Sequence, residues 1–164
     1  MGLVCAGLLA GQDARLGDAP TRGVRVRMWG HNPDEAGELA QTRRSGRLPG
    51  FMLSEDVAVR WDDAAALADA SLIVSAVPVQ FLRDVWTRIA PHVPHGAGVV
   101  SVAKGIENTT LQRPTQIIAE VLRLTGRDDP DRPSRRIATL SGPTIAAELA
   151  RCLPAAMIAA SDDA

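Results

Sequence analysis

Ser71-Leu72-Ile73-Val74-Ser75-Ala76-Val77-Pro78, followed after one helical stretch by Gly98-Val99-Val100-Ser101-Val102-Ala103-Lys104-Gly105, decides the fold. Each segment is a short apolar run rich in β-branched residues and stopped by proline or glycine. A continuous run of this kind, without alternation, predicts a strand buried on both faces of a parallel sheet. Between them, residues 80 to 89 place Phe81, Val85, Trp86 and Ile89 at helical spacing, so this helix is expected to turn those four inward. Strand, helix, strand is the unit from which open α/β sheets are built.

The same alternation extends in both directions. Upstream, residues 3 to 10 are apolar on nearly every side and suit a buried helix. Asp13 to Gly23 is a loose stretch containing Pro20. Val24 to Trp29 alternates strictly and reads as a strand. Asn32 is an N-cap with Pro33 at the first helical position, opening a helix from Asp34 to about Arg44. A loop, Gly46 to Gly50, precedes a short strand from Val57 to Trp61. Asp62 or Asp63 then caps a small helix ending near Asp69.

Downstream, Leu111 to Leu124 is helical, with Pro114 tolerable only in its first turn. Arg127 to Arg136 is a polar, proline-broken loop. Ile137 to Leu140 is a strand, Pro143 to Ala150 a helix, and Pro154 to Ala160 a last strand. The fold class is α/β, a Rossmann-like parallel sheet with right-handed crossovers and helices on both faces. No internal repeat interrupts it.

Composition narrows the function. At 164 residues the chain allows one domain with a real core. A net charge of -1 argues against a nucleic-acid surface. Arg43-Arg44 and Arg135-Arg136 lie among acids and read as solvated faces. Cys5 and Cys152 are too few for a disulfide framework and imply a reduced, cytoplasmic setting. No apolar stretch reaches the roughly 18 residues of a membrane span. The start, Met1 to Ala10, lacks the basic region of a signal peptide, and Cys5-Ala6 does not fit a myristoylation signal. His92 and His95 have no partners to define a role. No Ser/His/Asp, Cys/His or metal-ligand constellation is present.

Chemistry concentrates where strands end, because ligands of open α/β sheets bind at the carboxyl edge. Lys104-Gly105-Ile106-Glu107 ends one strand, and a lysine there can hold an oxygen or phosphate as a point charge. The alternative is an exposed loop lysine. Ser141-Gly142-Pro143-Thr144 ends another. Glycine permits close backbone approach, and a helix start behind it offers free N–H groups. The alternative is an ordinary capped turn. Met1-Gly2 heads a helix resembling the first helix of a dinucleotide-binding unit. After the Val24–Trp29 strand, where such units carry an acid for the ribose, the chain has Gly30-His31-Asn32. A capped turn with a surface histidine is the alternative there.

Val-Arg-Met-Trp-Gly-His-Asn (26–32), Arg-Leu-Pro-Gly (47–50), Ile-Val-Ser-Ala-Val-Pro (73–78), Val-Ala-Lys-Gly-Ile-Glu (102–107) and Leu-Ser-Gly-Pro-Thr-Ile-Ala-Ala-Glu-Leu-Ala (140–150) occur in order. Together they resemble the N-terminal domain of bacterial NAD(P)-dependent sn-glycerol-3-phosphate dehydrogenases. That family interconverts glycerol 3-phosphate and dihydroxyacetone phosphate, with NAD or NADP as cofactor, in glycerophospholipid precursor synthesis. The resemblance implies that Lys104 contacts cofactor and substrate, that Gly142 and Thr144 bind substrate, and that Ala146 contacts the cofactor. It places His31 near the adenosine ribose and makes Gly2 the last glycine of the dinucleotide fingerprint, with Met1 beside it.

The resemblance further implies that residues 1–164 are one partial NAD(P)-binding domain. The first strand, most of the G-x-G-x-x-G turn and a helical C-terminal domain with the proton-accepting lysine would lie outside it. No catalytic residue is then assignable, the isolated chain is expected to turn over little or not at all, and a homo-oligomer would belong to the full-length enzyme. Two other readings stay open: a noncatalytic nucleotide- or phosphate-binding remnant, and a ketopantoate or β-hydroxyacid reductase, against which the Lys-Gly-Ile-Glu and Ser-Gly-Pro-Thr pairing argues.

Overall fold

The computed structural model describes residues 1–11, 24–128 and 135–161. The loose stretch expected at 13–23 and the greater part of the polar loop at 127–136 lie outside them. In chain order the elements are α1 (Gly2–Leu9), β1 (Val26–Trp29), α2 (Pro33–Thr42), β2 (Val57–Arg60), α3 (Asp63–Leu67), β3 (Leu72–Ser75), α4 (Val79–Ile89), β4 (Gly98–Ser101), α5 (Pro114–Leu124), β5 (Ile137–Ser141), α6 (Ala146–Ala150) and β6 (Ile158–Ser161). The chain divides into two compact units, one made of 1–66 and 144–155, the other of 67–143 and 156–164.

In the first unit β1 and β2 pair in parallel, Val26 opposite Val57 and Trp29 opposite Arg60. Helix α2 begins as its sequence requires. Asn32 Oδ1 accepts from the amides of Asp34 (2.9 Å) and Glu35 (3.3 Å), and Pro33 sits where no amide is needed. It ends at Arg43 in the left-handed region (φ 58°). From there the Arg43 guanidinium reaches back to the carbonyls of Ser54 and Val57, tying the loop to the start of β2. Asp62, not Asp63, caps α3 by accepting from Ala65 N at 2.7 Å. Ala6, Val26, Ala36, Leu39, Leu53, Val57 and Val59 form the buried cluster.

In the second unit the strands run in the order β3-β4-β5-β6. β3, β4 and β5 are parallel, with Ser75 opposite Ser101 and Ser101 opposite Thr139. The final strand departs from the all-parallel expectation: β6 runs antiparallel to β5, Ser141 opposite Ile158. Only the short α6 lies between β5 and β6 in the chain, and an antiparallel pair needs no long crossover helix.

The expectation that the 71–77 strand is buried on both faces also needs correction. Ser75, Val99 and Ser101 are buried, whereas Leu72 is exposed and Val74 and Val100 are half-buried. Paired residues of parallel strands share a face, so one face of this sheet is closed and the other is not. Helix α4 turns Leu82, Trp86 and Ile89 inward rather than Phe81, which is 63% exposed. The helix starts at Val79, and the stripe Val79-Leu82-Trp86-Ile89 keeps the 3-4-3 spacing that a single buried face needs. Trp86 donates its indole N–H to Ser75 Oγ (3.1 Å), so this buried donor is satisfied. Helices α4 and α5 pack together, and Ile117, Ile118, Val121 and Leu122 of α5 are buried.

Candidate functional site

Because β4 and β5 are parallel, their carboxyl ends lie on the same side of the sheet. Lys104 follows one end and Gly142 the other. Lys104 Nζ donates to the Gly142 carbonyl at 2.8 Å. The two loop edges singled out in the sequence therefore meet. Lys104 is exposed, as a group that serves a ligand must be, and Gly105 behind it takes φ 91°, a conformation that side chains avoid.

The structure gives a different reason for the glycine at 142 than ligand approach. A Cβ built there would lie 2.2 Å from the Ala156 carbonyl oxygen and 3.1 Å from Met157 Cα. The chain leading into β6 occupies that space, so backbone packing by itself requires glycine at 142. Its carbonyl, turned toward Lys104, is the part of Gly142 that serves the site.

The expected helix start at Pro143 is also displaced. Residues 143–145 are not helical, Ile145 is the N-cap with extended backbone (φ -118°, ψ 131°), and α6 begins at Ala146. Thr144 is buried at 7% exposure and Ala146 is half-buried. Both belong to the first unit, where α6 packs against α1. Met1 is the N-cap residue of α1 and Gly2 its first residue; that end has no side-chain cap and no acid in its first turn.

His31 is exposed in the turn between β1 and α2. The missing ribose acid does not leave the turn without carboxylates. Glu35 is held below the ordinary glutamate range, first by hydrogen bonds from Arg47, with the charges of Arg47 and His31 adding to the effect. Arg47 grips Glu35 with two bonds of 3.1 and 2.8 Å. Trp29, to which the sequence assigned no task, donates its indole N–H to Asp63 Oδ1 (2.9 Å) and so fastens the end of β1 to α3.

The sequence reading also missed what holds the Lys104 loop. Arg83 on α4 grips the Glu107 carboxylate with Nε and Nη2 (3.0 and 2.9 Å) and reaches Glu120 on α5 with Nη1 (3.0 Å). Glu107 is 6% exposed. Its carboxyl is held below the usual range, chiefly by the Arg83 hydrogen bonds and then by that from Thr110. On an amphipathic helix Arg83 looks like any solvated arginine, and no local pattern announces partners that lie 24 and 37 residues away.

Among the described residues no helix is long and apolar enough to cross a membrane. Residues 16–164 match the family described as NAD-dependent glycerol-3-phosphate dehydrogenase N-terminus. A glycerol-3-phosphate dehydrogenase [NAD(P)+] of Rhodopseudomonas palustris is 42% identical over 147 residues, covering 89% of this chain and 41% of the relative. One from Corynebacterium kroppenstedtii is 38% identical over 142 residues, covering 86% and 40%. The chain thus spans about two fifths of the length of these relatives. The crystal structure of glycerol-3-phosphate dehydrogenase from Coxiella burnetii superposes with a TM-score of 0.77 at 23% identity, over 99% of this chain and 43% of that one. On these matches, and with Lys104 and Gly142 joined at the carboxyl edge of a Rossmann-like sheet, the chain belongs to the NAD-dependent glycerol-3-phosphate dehydrogenase family, in its N-terminal part.

Proposed function

We propose that this chain is the cofactor-binding part of an enzyme that interconverts sn-glycerol 3-phosphate and dihydroxyacetone phosphate with NAD or NADP. The observation that carries this reading is the Lys104–Gly142 contact at the carboxyl edge, in a chain of this family. The cofactor supplies a nicotinamide that takes up or gives back hydride. The rest concerns what the chain's own groups do.

The head of α1 suits a pyrophosphate. Its first N–H groups have no helical acceptor, and neither a side-chain cap nor an acid competes for them. Met1 and Gly2 are assigned there. His31 is assigned to the adenosine ribose, and Ala146, at the first position of α6, to a further cofactor contact. With no acid at residues 30–32 and Glu35 already neutralised by Arg47, a ribose 2′-phosphate is tolerated, so both NAD and NADP fit.

Lys104 is assigned to cofactor and substrate together. Its ammonium is fixed at one donor by the Gly142 carbonyl and offers positive charge to a polarised oxygen or phosphate. Gly142 and Thr144 are assigned to the substrate side. Hydride transfer also needs a group to exchange a proton with the reacting oxygen, and no residue of this chain is assigned that task. Residues 1–164 then act as one partial NAD(P)-binding domain that binds cofactor but turns over little alone. A cytoplasmic enzyme, with any homo-oligomer formed by the full-length protein, is the setting we infer.

Titrating the purified chain with NADH and NADPH, and assaying glycerol 3-phosphate oxidation in parallel, tests this. Binding of either dinucleotide, weakened in K104A, is expected. Failure to bind either at millimolar concentration would sink the reading, and turnover at a rate typical of dehydrogenases would refute the assignment of the proton-transfer step to residues outside the chain.

A further inference from the structure

Lys104 is the sole lysine of this chain; the other 17 of its 18 Lys and Arg are arginine. The loop that carries it contains two residues with positive φ. Gly105 takes φ 91° and Leu111, a branched residue with its side chain 68% exposed, takes φ 58°. A leucine in the left-handed region persists only where surrounding contacts impose it.

Those contacts come from α4 and from bonds within the loop. Gln80 Nε2 donates to the Ile106 carbonyl (2.9 Å) and to Asn108 Oδ1 (3.2 Å), while Gln80 Oε1 accepts from Asn108 N (3.1 Å). One turn further along, the Arg83 fork holds Glu107, and its Nη2 also reaches Gln112 Oε1 at 2.8 Å. The Thr110 hydroxyl donates to Glu107 as well. Backbone bonds close the loop on the same residue: Glu107 N donates to the Gln112 carbonyl, and Leu111 N to the Glu107 carbonyl, each at 2.9 Å.

Backbone and side-chain contacts of the loop thus coincide at Glu107 and Gln112, Arg83 reaches both, and Arg83 is the cation that makes the burial of Glu107 tolerable. Gln80 grips only the exposed flank. We propose that Arg83 is a positioning residue: through Glu107 it fixes the loop that seats Lys104 on the Gly142 carbonyl. The proposal rests on Lys104 being the residue that meets the ligand.

The single lysine makes the test clean. Reductive ¹³C-methylation of the whole chain labels two amines, Met1 and Lys104, and the signal lost in K104R is that of Lys104. In R83Q the Lys104 signal is expected to move toward the shift and line width of a free lysine, and R83K, whose extra amine signal is identified in the K104R background, should restore it in part. A folded R83Q, judged by near-ultraviolet circular dichroism, with an unchanged Lys104 signal overturns the proposal. Should R83Q not fold, R83M carries the test: it keeps a stem of similar length without the fork and adds no amine, and an unchanged Lys104 signal in a folded R83M overturns the proposal.

NADPH titration adds a second arm. R83Q should weaken binding about ten-fold in the wild-type background and leave it unchanged in a K104A background, as expected for groups coupled through one contact. Equal losses in both backgrounds would mean that Arg83 only supports the fold, which also overturns the proposal. If the wild-type chain binds no dinucleotide, the functional reading fails by itself, and the Lys104 signal still decides the role of Arg83.

Discussion

The ammonium of Lys104 rests on the carbonyl of Gly142 at 2.8 Å, tying the loop after β4 to the turn after β5. Arginine is not a substitute here. A planar guanidinium on a longer stem cannot place a compact charge over the same carbonyl. K104R and K104M are both expected to weaken NADH or NADPH binding by roughly ten-fold or more, consistent with about 1.5–3 kcal/mol for a hydrogen bond to a charged group. Because the side chain is exposed, the urea midpoint should stay within about 0.5 kcal/mol of wild type. Fluorescence titration beside urea unfolding separates the two effects, and a K104R chain binding as well as wild type would remove the special role of the amine.

Gly142→Ala tests the other partner. Its Cβ would fall 2.2 Å from the Ala156 carbonyl oxygen, and the nearest atoms are backbone that cannot swing aside. The strain should be relieved by loosening β6 from β5. We expect a loss of about 1–3 kcal/mol, the usual cost of overpacking. Limited proteolysis should cut more readily within 154–161. Wild-type stability and an uncut tail would show that the crowding is absorbed elsewhere.

Much of this fold was readable because periodicity is local. The apolar runs at β3 and β4 and the Asn32-Pro33 cap of α2 emerged where expected. Errors arose where distant partners decide. Phe81 and Leu82 are adjacent large apolar residues, and only tertiary packing decides that Leu82 is buried and Phe81 exposed. Gly142 was singled out for ligand approach, and the packing reason for a glycine there, the Ala156 carbonyl, comes from a segment farther along the chain that the local sequence does not announce. The direction of β6 depends on its pairing with β5, which its own residues cannot announce. Lys104 stood out because it ends a strand; Arg83, which holds Glu107 of the same loop from α4, had nothing in its surroundings to mark it.

Ser75→Ala probes the core beneath the site. The Trp86 indole N–H, inside a side chain 1% exposed, has Ser75 Oγ as its partner at 3.1 Å. Removing the hydroxyl strands a buried donor, which costs about 1–3 kcal/mol. Equilibrium unfolding followed by circular dichroism should show this loss, with a changed tryptophan emission in the folded state. An effect below about 0.5 kcal/mol would mean that a water molecule takes the place of the hydroxyl.

Acid should weaken the second unit through the Arg83 cluster. Glu107 and Glu120 are both held below the usual carboxylate value of 4.5, first by hydrogen bonds from Arg83, then by Thr110 for Glu107 and Gln112 for Glu120. A carboxylate whose folded pKa lies below its unfolded one stabilises the fold fully above the unfolded value. That contribution fades as pH falls through the folded value. Arg83 is raised above an already high value, so it keeps its charge throughout this range. The Glu35–Arg47 pair shifts in the same direction, but with side chains 53% and 70% exposed it adds little. Urea midpoints should therefore be level from pH 7 to about 5 and drop below about 4.5. E107Q and E120Q should each start lower at pH 7 and fall less steeply on acidification. An E107Q slope matching that of wild type would place the acid-sensitive group outside the Arg83 cluster.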